Sequence, residues 1–251
     1  MYRRAILAMG LALAAWSVPA SEPSPAIAAA VRAMANRPLS VQPLNGGVYW
    51  VSGGVSNTGF IVGDDGVIVV DAQMFVPAAQ KVLGEIAKIT SLPVKEIILT
   101  HSDPDHVNGL PAYAAGTEII AQENVTGEIQ NALAEVNPGP GAAPAALKDY
   151  LPTRLVRNTE SMVLDGVRVV LVHVSPAHTD ADLIVYLPVQ KIVFAGDLVT
   201  PEVGLYPVIH LEKHGSSSGW IKSMKAMLAL DASTFISGHG APQTRAMLWA
   251  N

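Results

Sequence analysis

In the segment Thr100-His101-Ser102-Asp103-Pro104-Asp105-His106, four side chains able to bind a metal fall within six residues, directly after an apolar run. Imidazole and carboxylate suit zinc and its neighbours, and four such groups side by side would otherwise be desolvated without a compensating partner. Pro104 stiffens the turn and helps fix the directions of the groups around it. Three more candidates each follow a hydrophobic run: His178 in Ser175-Pro176-Ala177-His178-Thr179, Asp197 in Phe194-Ala195-Gly196-Asp197, and His239 in Ser237-Gly238-His239-Gly240. Taken singly, such residues are more often hydrogen-bonded structural groups than ligands. Their joint occurrence at successive strand ends points to one metal centre. A metal held by such groups can acidify bound water and polarise the bond under attack, which is the chemistry of hydrolysis without a protein nucleophile.

The elements that must position these residues read as an α/β pattern. Residues 59–62 and 67–71 are strand-like runs separated by Gly63-Asp64-Asp65-Gly66, whose Asp-Gly chemistry suits a tight hairpin. A helix is expected over 76–89, with Val82, Ile86 and Ile89 on one face, and then a strand over 96–100 that ends at His101. The second half repeats the order: a hairpin-like pair over 183–187 and 191–195 ending at Asp197, a helix over 220–230, and a strand over 234–237 leading to His239. Asp71 to His101 is a step of 30 residues and Asp197 to His239 a step of 42; the excess of 12 fits an insertion within 200–218. Two such copies suggest a duplicated half-domain. Residues 25–36 read as an Ala-rich helix, and 137–144, rich in Pro, Gly and Ala, as a surface loop.

With these residues in this order, the chain resembles the metallo-β-lactamase superfamily, whose signature is His-x-His-x-Asp-His followed by a His, an Asp and a last His. The resemblance covers about residues 48–240. It implies a four-layer αββα sandwich with two mixed β-sheets and a site at one edge between them. It also implies that His101, Asp103 and His178 hold one metal, that Asp105, His106 and His239 hold the second, and that Asp197 bridges the two. Asp105 would orient the hydroxide and shuttle its proton, and Asp71 would support a ligand histidine from behind. The implied cofactor is two zinc ions per chain, with manganese or iron as alternatives, and the implied substrate is a β-lactam, lactone, ester or thioester. Asp103 departs from the family, which usually has its second histidine there. Three carboxylates and a hydroxide would cancel the charge of two divalent metals, so bound water should be less acidic than at the usual site. Extra oxygen also favours somewhat harder metals. His210 and His214, in the insertion after Asp197, are candidates for contact with substrate. His173 reads as packing within a strand over 168–174, and Asp180 and Asp182 as solvated or capping residues. An iron-dependent oxidoreductase on the same fold and a non-catalytic metal-binding protein remain alternative readings. Only twelve residues follow His239, so the family's last helix is expected to be short or missing.

At 251 residues, half of them hydrophobic, the chain can bury one large core, and a single domain over 21–251 is expected. A net charge of -5 leaves no basic stripe for a phosphate backbone, so nucleic acid is not an expected partner; a small-molecule substrate is. Arg3 and Arg4, the apolar run 5–16 and Val18-Pro19-Ala20 make residues 1–20 an expected signal peptide. The run is shorter than the ~20 residues of a spanning helix, so no stable membrane insertion is expected after cleavage. The mature protein would then be periplasmic or secreted. Cysteine is absent, so any metal must be held by nitrogen and oxygen.

Overall fold

The computed structural model describes residues 25–135 and 142–250, so the expected signal peptide and most of the 137–144 loop lie outside the described residues. The first half contains α1 (Pro25–Ala35), β1 (Ser40–Pro43), β2 (Val48–Ser52), β3 (Thr58–Val62), β4 (Val67–Val70), α2 (Val76–Ile89), β5 (Val94–Ile98), α3 (Pro104–Val107), β6 (Glu118–Gln122), α4 (Val125–Leu133) and β7 (Arg154–Val156). The second contains β8 (Thr159–Leu164), β9 (Val167–Val172), β10 (Ile184–Leu187), β11 (Ile192–Gly196), α5 (Ser217–Ala229), β12 (Thr234–Ser237), β13 (Gln243–Thr244) and α6 (Arg245–Trp249). Strands β1 to β7 form one sheet in sequence order, antiparallel as far as β4 and parallel from β4 to β7. The second sheet runs β13-β12-β11-β10-β9-β8 and is antiparallel except at β11–β12.

Alternation along the strands builds the layers. In β4, Val67 and Val69 face α2 and α4, while Ile68 and Val70 face the other sheet; Ile97 and Ile98 divide the same way. A strand buried on both faces reads as an unbroken apolar run, as Val-Ile-Val-Val does here. On the far side, Val193 and Phe235 pack on Met224 and Met227 of α5. Helix, sheet, sheet and helix thus stack as the expected αββα sandwich.

The hairpin, crossover helix and parallel strand recur in both sheets, as β3-β4-α2-β5 and β10-β11-α5-β12. Helix α5 begins earlier than expected because Ser216 caps it, accepting from Gly219 N. Ile89, expected on the buried face of α2, is 40% exposed because the helix ends there. The last helix among the described residues, α6, is five residues long. Arg245, its first residue, donates to the carbonyls of Leu228, Leu230 and Ala232, which ties α6 to the end of α5 and the turn after it.

Gly59 in β3 lets the two sheets close: a Cβ there would stand 2.0 Å from Phe194 Cε1 of β11. Gly59→Ala should therefore cost about 1–3 kcal/mol through overpacking. Urea denaturation should show the loss, and Phe194→Leu in the same chain should recover much of it. Wild-type stability in the single variant would mean that the sheets yield freely at this contact.

Candidate metal centre

The site is built from strand ends. Beyond β5, Leu99 stays extended through its N–H to Ile120 O, and the chain then turns at Thr100 into the one-turn helix α3. Pro104 opens that helix and Asp103 is its N-cap, yet the Asp103 carboxylate makes no capping bond and faces the histidines. Beyond β4, Asp71 flips to φ 64°, a left-handed conformation that costs a non-glycine residue about 1–2 kcal/mol. The flip aims its buried carboxylate at three donors, each at 2.8 Å: Thr100 N, Thr100 Oγ1 and His106 Nδ1. Thr100 Oγ1 in turn accepts from His101 Nδ1 at 2.9 Å. One aspartate thus orients two histidines and turns the Nε2 of each inward.

The other ligand candidates follow the same rule. His178 Nδ1 donates to Val208 O at 2.9 Å and His239 Nδ1 to Val55 O at 3.2 Å, leaving Nε2 for the centre. Asp103 Oδ2 stands 3.1 Å from His178 Nε2 and 3.7 Å from His101 Nε2. Asp105 Oδ2 stands 3.2 Å from His239 Nε2 and 3.5 Å from His106 Nε2. Asp197 lies between the groups, at 3.5 Å from His106 Nε2, 3.3 Å from His239 Nε2 and 4.0 Å from His178 Nε2. His101 Nε2, His106 Nε2 and Asp197 Oδ1 are buried without a hydrogen-bond partner. Buried polar atoms left unpaired are costly, and ligand atoms 3–4 Å apart suit a cation ligated at ~2.0–2.3 Å, so this set fits a metal.

Backbone close to the centre is equally constrained. A Cβ on Gly238 would meet Asp197 Oδ1 at 2.0 Å and His106 Cε1 at 2.8 Å, so only glycine admits both side chains. Asn57 holds the His239 loop from the first half of the chain: its N–H donates to Gly238 O at 2.7 Å, and its Nδ2 donates to Ser237 O at 2.9 Å and Gly240 O at 2.8 Å.

Electrostatics bind the set together. Burial opposes ionisation of Asp103, but bonds from His178 and His210 and the charges of His101 and Lys213 hold its carboxyl well below the usual range. Asp105 and Asp197 are lowered in the same manner, against burial, by the histidines around them. Burial brings His101 down to about 4. For His106 burial is outweighed by Asp71 and Asp105, and the ring is pushed up to about 10. Hydrogen bonds to Asp105 and Asp197 raise His239 to about 10, and one to Asp103 raises His210 to about 9.

All seven residues expected as ligands, His101, Asp103, Asp105, His106, His178, Asp197 and His239, meet at this edge, with Asp71 directly behind His106. His210, expected only near substrate, reaches the centre itself, with Nε2 3.2 Å from Asp103 Oδ2. His214 is exposed and lines a cleft of about 640 Å³ beside Asp103. His173 stands apart, its Nδ1 donating to Asp182 O at 2.8 Å. Asp182 is neither solvated nor a helix cap; it is buried, accepts from Thr179 N and Oγ1, and burial raises it to about 7. Sequence reasoning missed Lys213, whose Nζ lies 2.5 Å from Asp103 Oδ1 and 3.1 Å from Ser102 Oγ. Its place in the insertion was the one available signal. The Gly215–Gly219 run matches Gly-x-Ser-x-Gly spacing, but it opens α5 after a short 3-10 turn and not after a strand, so it forms no nucleophile elbow.

A family profile described as the metallo-beta-lactamase superfamily matches residues 51–239. A linear primary-alkylsulfatase from Pseudomonas sp. is 24% identical over an alignment of 212 residues that covers 71% of this chain and 40% of that protein. The 2,4-dinitroanisole O-demethylase subunit alpha from Nocardioides sp. is 25% identical over 204 residues, covering 80% of this chain and 57% of that subunit. The chain thus spans less than two thirds of both curated relatives. Among solved structures, a metallo-beta-lactamase from Pontibacter korlensis superposes with a TM-score of 0.67 at 19% identity, covering 85% of this chain and 96% of its own.

Asn tolerates the left-handed backbone of Asp71, so Asp71→Asn removes charge with little added strain. Metal affinity in this variant should fall about 10–100-fold while the fold persists. Titration with zinc, alongside far-ultraviolet circular dichroism, measures both. Wild-type affinity would show that the carboxylate behind His106 contributes nothing to the centre.

Proposed function

Because this chain belongs to the metallo-β-lactamase superfamily, we propose that it is a hydrolase working with two divalent metals, zinc foremost and manganese or iron as alternatives. The observation that carries this reading is ring orientation. His101, His106, His178 and His239 each engage Nδ1 with a protein acceptor and turn Nε2 toward three carboxylates. In this reading His101, Asp103 and His178 would hold one metal and Asp105, His106 and His239 the other, with Asp197 placed to reach either. The metals supply an acidified water and a Lewis acid for the substrate's oxygen.

Asp105, kept ionised by its histidine neighbours, would orient the attacking water and take its proton. Lys213 alters the charge sum made from the sequence, because its ammonium offsets the third carboxylate, Asp103. The centre therefore keeps the net positive charge of a site with two carboxylates. The cleft beside Asp103 has the volume of a small-molecule pocket, and β-lactams, lactones, esters and thioesters fit the chemistry. Alkyl sulfates join them as candidate substrates, from the name of the Pseudomonas relative. Among the described residues no helix is long and apolar enough to cross a membrane. With residues 1–20 as an export signal, the enzyme works in the periplasm or outside the cell.

Metal analysis of the mature protein should give two metals per chain, and a screen of those five substrate classes should find turnover that chelation abolishes and zinc restores. Full loading without turnover would favour a non-catalytic metal-binding protein. Iron with oxygen consumption on a persulfide would favour the redox enzyme instead.

Metal uptake should also release protons. His106 and His239 titrate near 10 without metal, so both carry a proton at pH 7.5, whereas a ligand imidazole must be neutral. Apparent affinity should then rise with pH until those values are passed. Calorimetric titration in buffers of different ionisation enthalpy should report at least these two protons lost. Uptake without proton release would mean that neither histidine is a ligand.

A further inference from the structure

We infer that His210 is an additional protein ligand to the metal held by His101, Asp103 and His178, supplying the imidazole that Asp103 withholds from that position. The inference rests on the two-metal reading above. His210 follows the orientation rule of the other four rings: Nδ1 donates to Glu212 Oε1 at 2.5 Å, and Nε2 faces Asp103 Oδ2. A carboxylate behind the ring is the arrangement that fixes the tautomer and raises the basicity of ligand histidines, and Asp71 stands in that relation to His106. The ligand atoms of Asp103, His178 and His210 all lie within 4.8 Å of one another.

His178 ties the two sides together. Its ring meets His101 edge-on with centroids 4.8 Å apart, and meets His210 in the same manner at the same distance. The loop bearing His210 is also fixed in place. His210 N donates to His178 O at 2.9 Å, Asp180 N to Lys213 O at 2.9 Å, and Ser216 N to Ala177 O at 2.8 Å, so the loop is stitched to the segment that carries His178. Gly215 N closes it on His210 O at 2.8 Å.

Lys213 completes the argument. It occupies Asp103 Oδ1, so that carboxylate offers the centre Oδ2 alone and leaves coordination room for a further donor. A neutral nitrogen in that room returns the donor set to the nitrogen and oxygen mixture that zinc takes. His214, four residues along the same loop, is exposed and belongs to none of the candidate ligand groups, which makes it an internal control.

The test titrates metal-free full-length protein with zinc and with cobalt(II), comparing wild type with His210→Ala, His210→Gln and His214→Ala. Both His210 variants should weaken one of two binding events about tenfold or more while leaving the other unchanged. Their cobalt absorption bands should shift as a nitrogen donor is lost, and added imidazole should reverse the shift in the alanine variant. His214→Ala should match wild type. Should both His210 variants lose their fold by circular dichroism, Glu212→Gln keeps the ring, removes the charge behind it, and should still weaken the same event several-fold. Two metals bound at wild-type affinity with an unchanged cobalt spectrum in the variants would overturn the inference and leave the two-metal reading intact. A wild type that takes up fewer than two metals would overturn the reading as well.

Discussion

Carboxylates and imidazoles crowd together at the open edge of the sandwich, His101, His106 and His178 fully buried among them, and neither kind could stand there alone. An isolated buried charge costs several kcal/mol after relaxation, so each must keep a partner of opposite tendency within a few ångströms. That requirement explains features that are otherwise expensive. Asp71 accepts a left-handed backbone to bring its charge beneath His106, Gly238 forgoes a side chain so that Asp197 can approach, and Lys213 folds back from its loop onto Asp103. The sheets supply the rigidity that makes such placement repeatable, because the strands feeding the site are packed on both faces.

Much of this was legible in the sequence because it is written in short-range patterns. Apolar runs such as Val67-Ile68-Val69-Val70, turn residues such as Asp65-Gly66, and four ligand types within six residues are all local, and the fold and the position of the site follow from them. The likeness of the two halves was legible for the same reason, since each half carries its own hairpin, helix and terminal histidine. What escaped was set by contacts between residues far apart in the chain. Lys213 meets Asp103 across 110 positions and Asn57 meets Gly240 across 183, and no spacing rule anticipates either pairing. Asp182 escaped for a different reason. A polar residue two positions from another aspartate reads as surface, whereas the fold buries it and satisfies it through Thr179.

The lysine also shows how a charge sum drawn from ligands alone misleads. Counting Asp103 as an added negative charge predicts a centre poorer at acidifying water. Counting the ammonium beside it restores the balance. A carboxylate so paired keeps its oxygen donor chemistry while losing most of its effect on the field at the centre. Exchange of a histidine for an aspartate is thus tolerable where a cation can follow it.

Asn57 gathers the loop of His239 against the first half of the chain, and the candidate donors are divided along that same seam: His101, Asp103, Asp105 and His106 on one side, His178, Asp197, His210 and His239 on the other. Metals seated there would cross-link the two halves, shrinking the freedom of the unfolded chain as a covalent bridge between distant residues does. A chain without cysteine has no sulfur bridge to do this, so its resistance to unfolding and the hydrolytic activity proposed for it would both draw on one supply of metal.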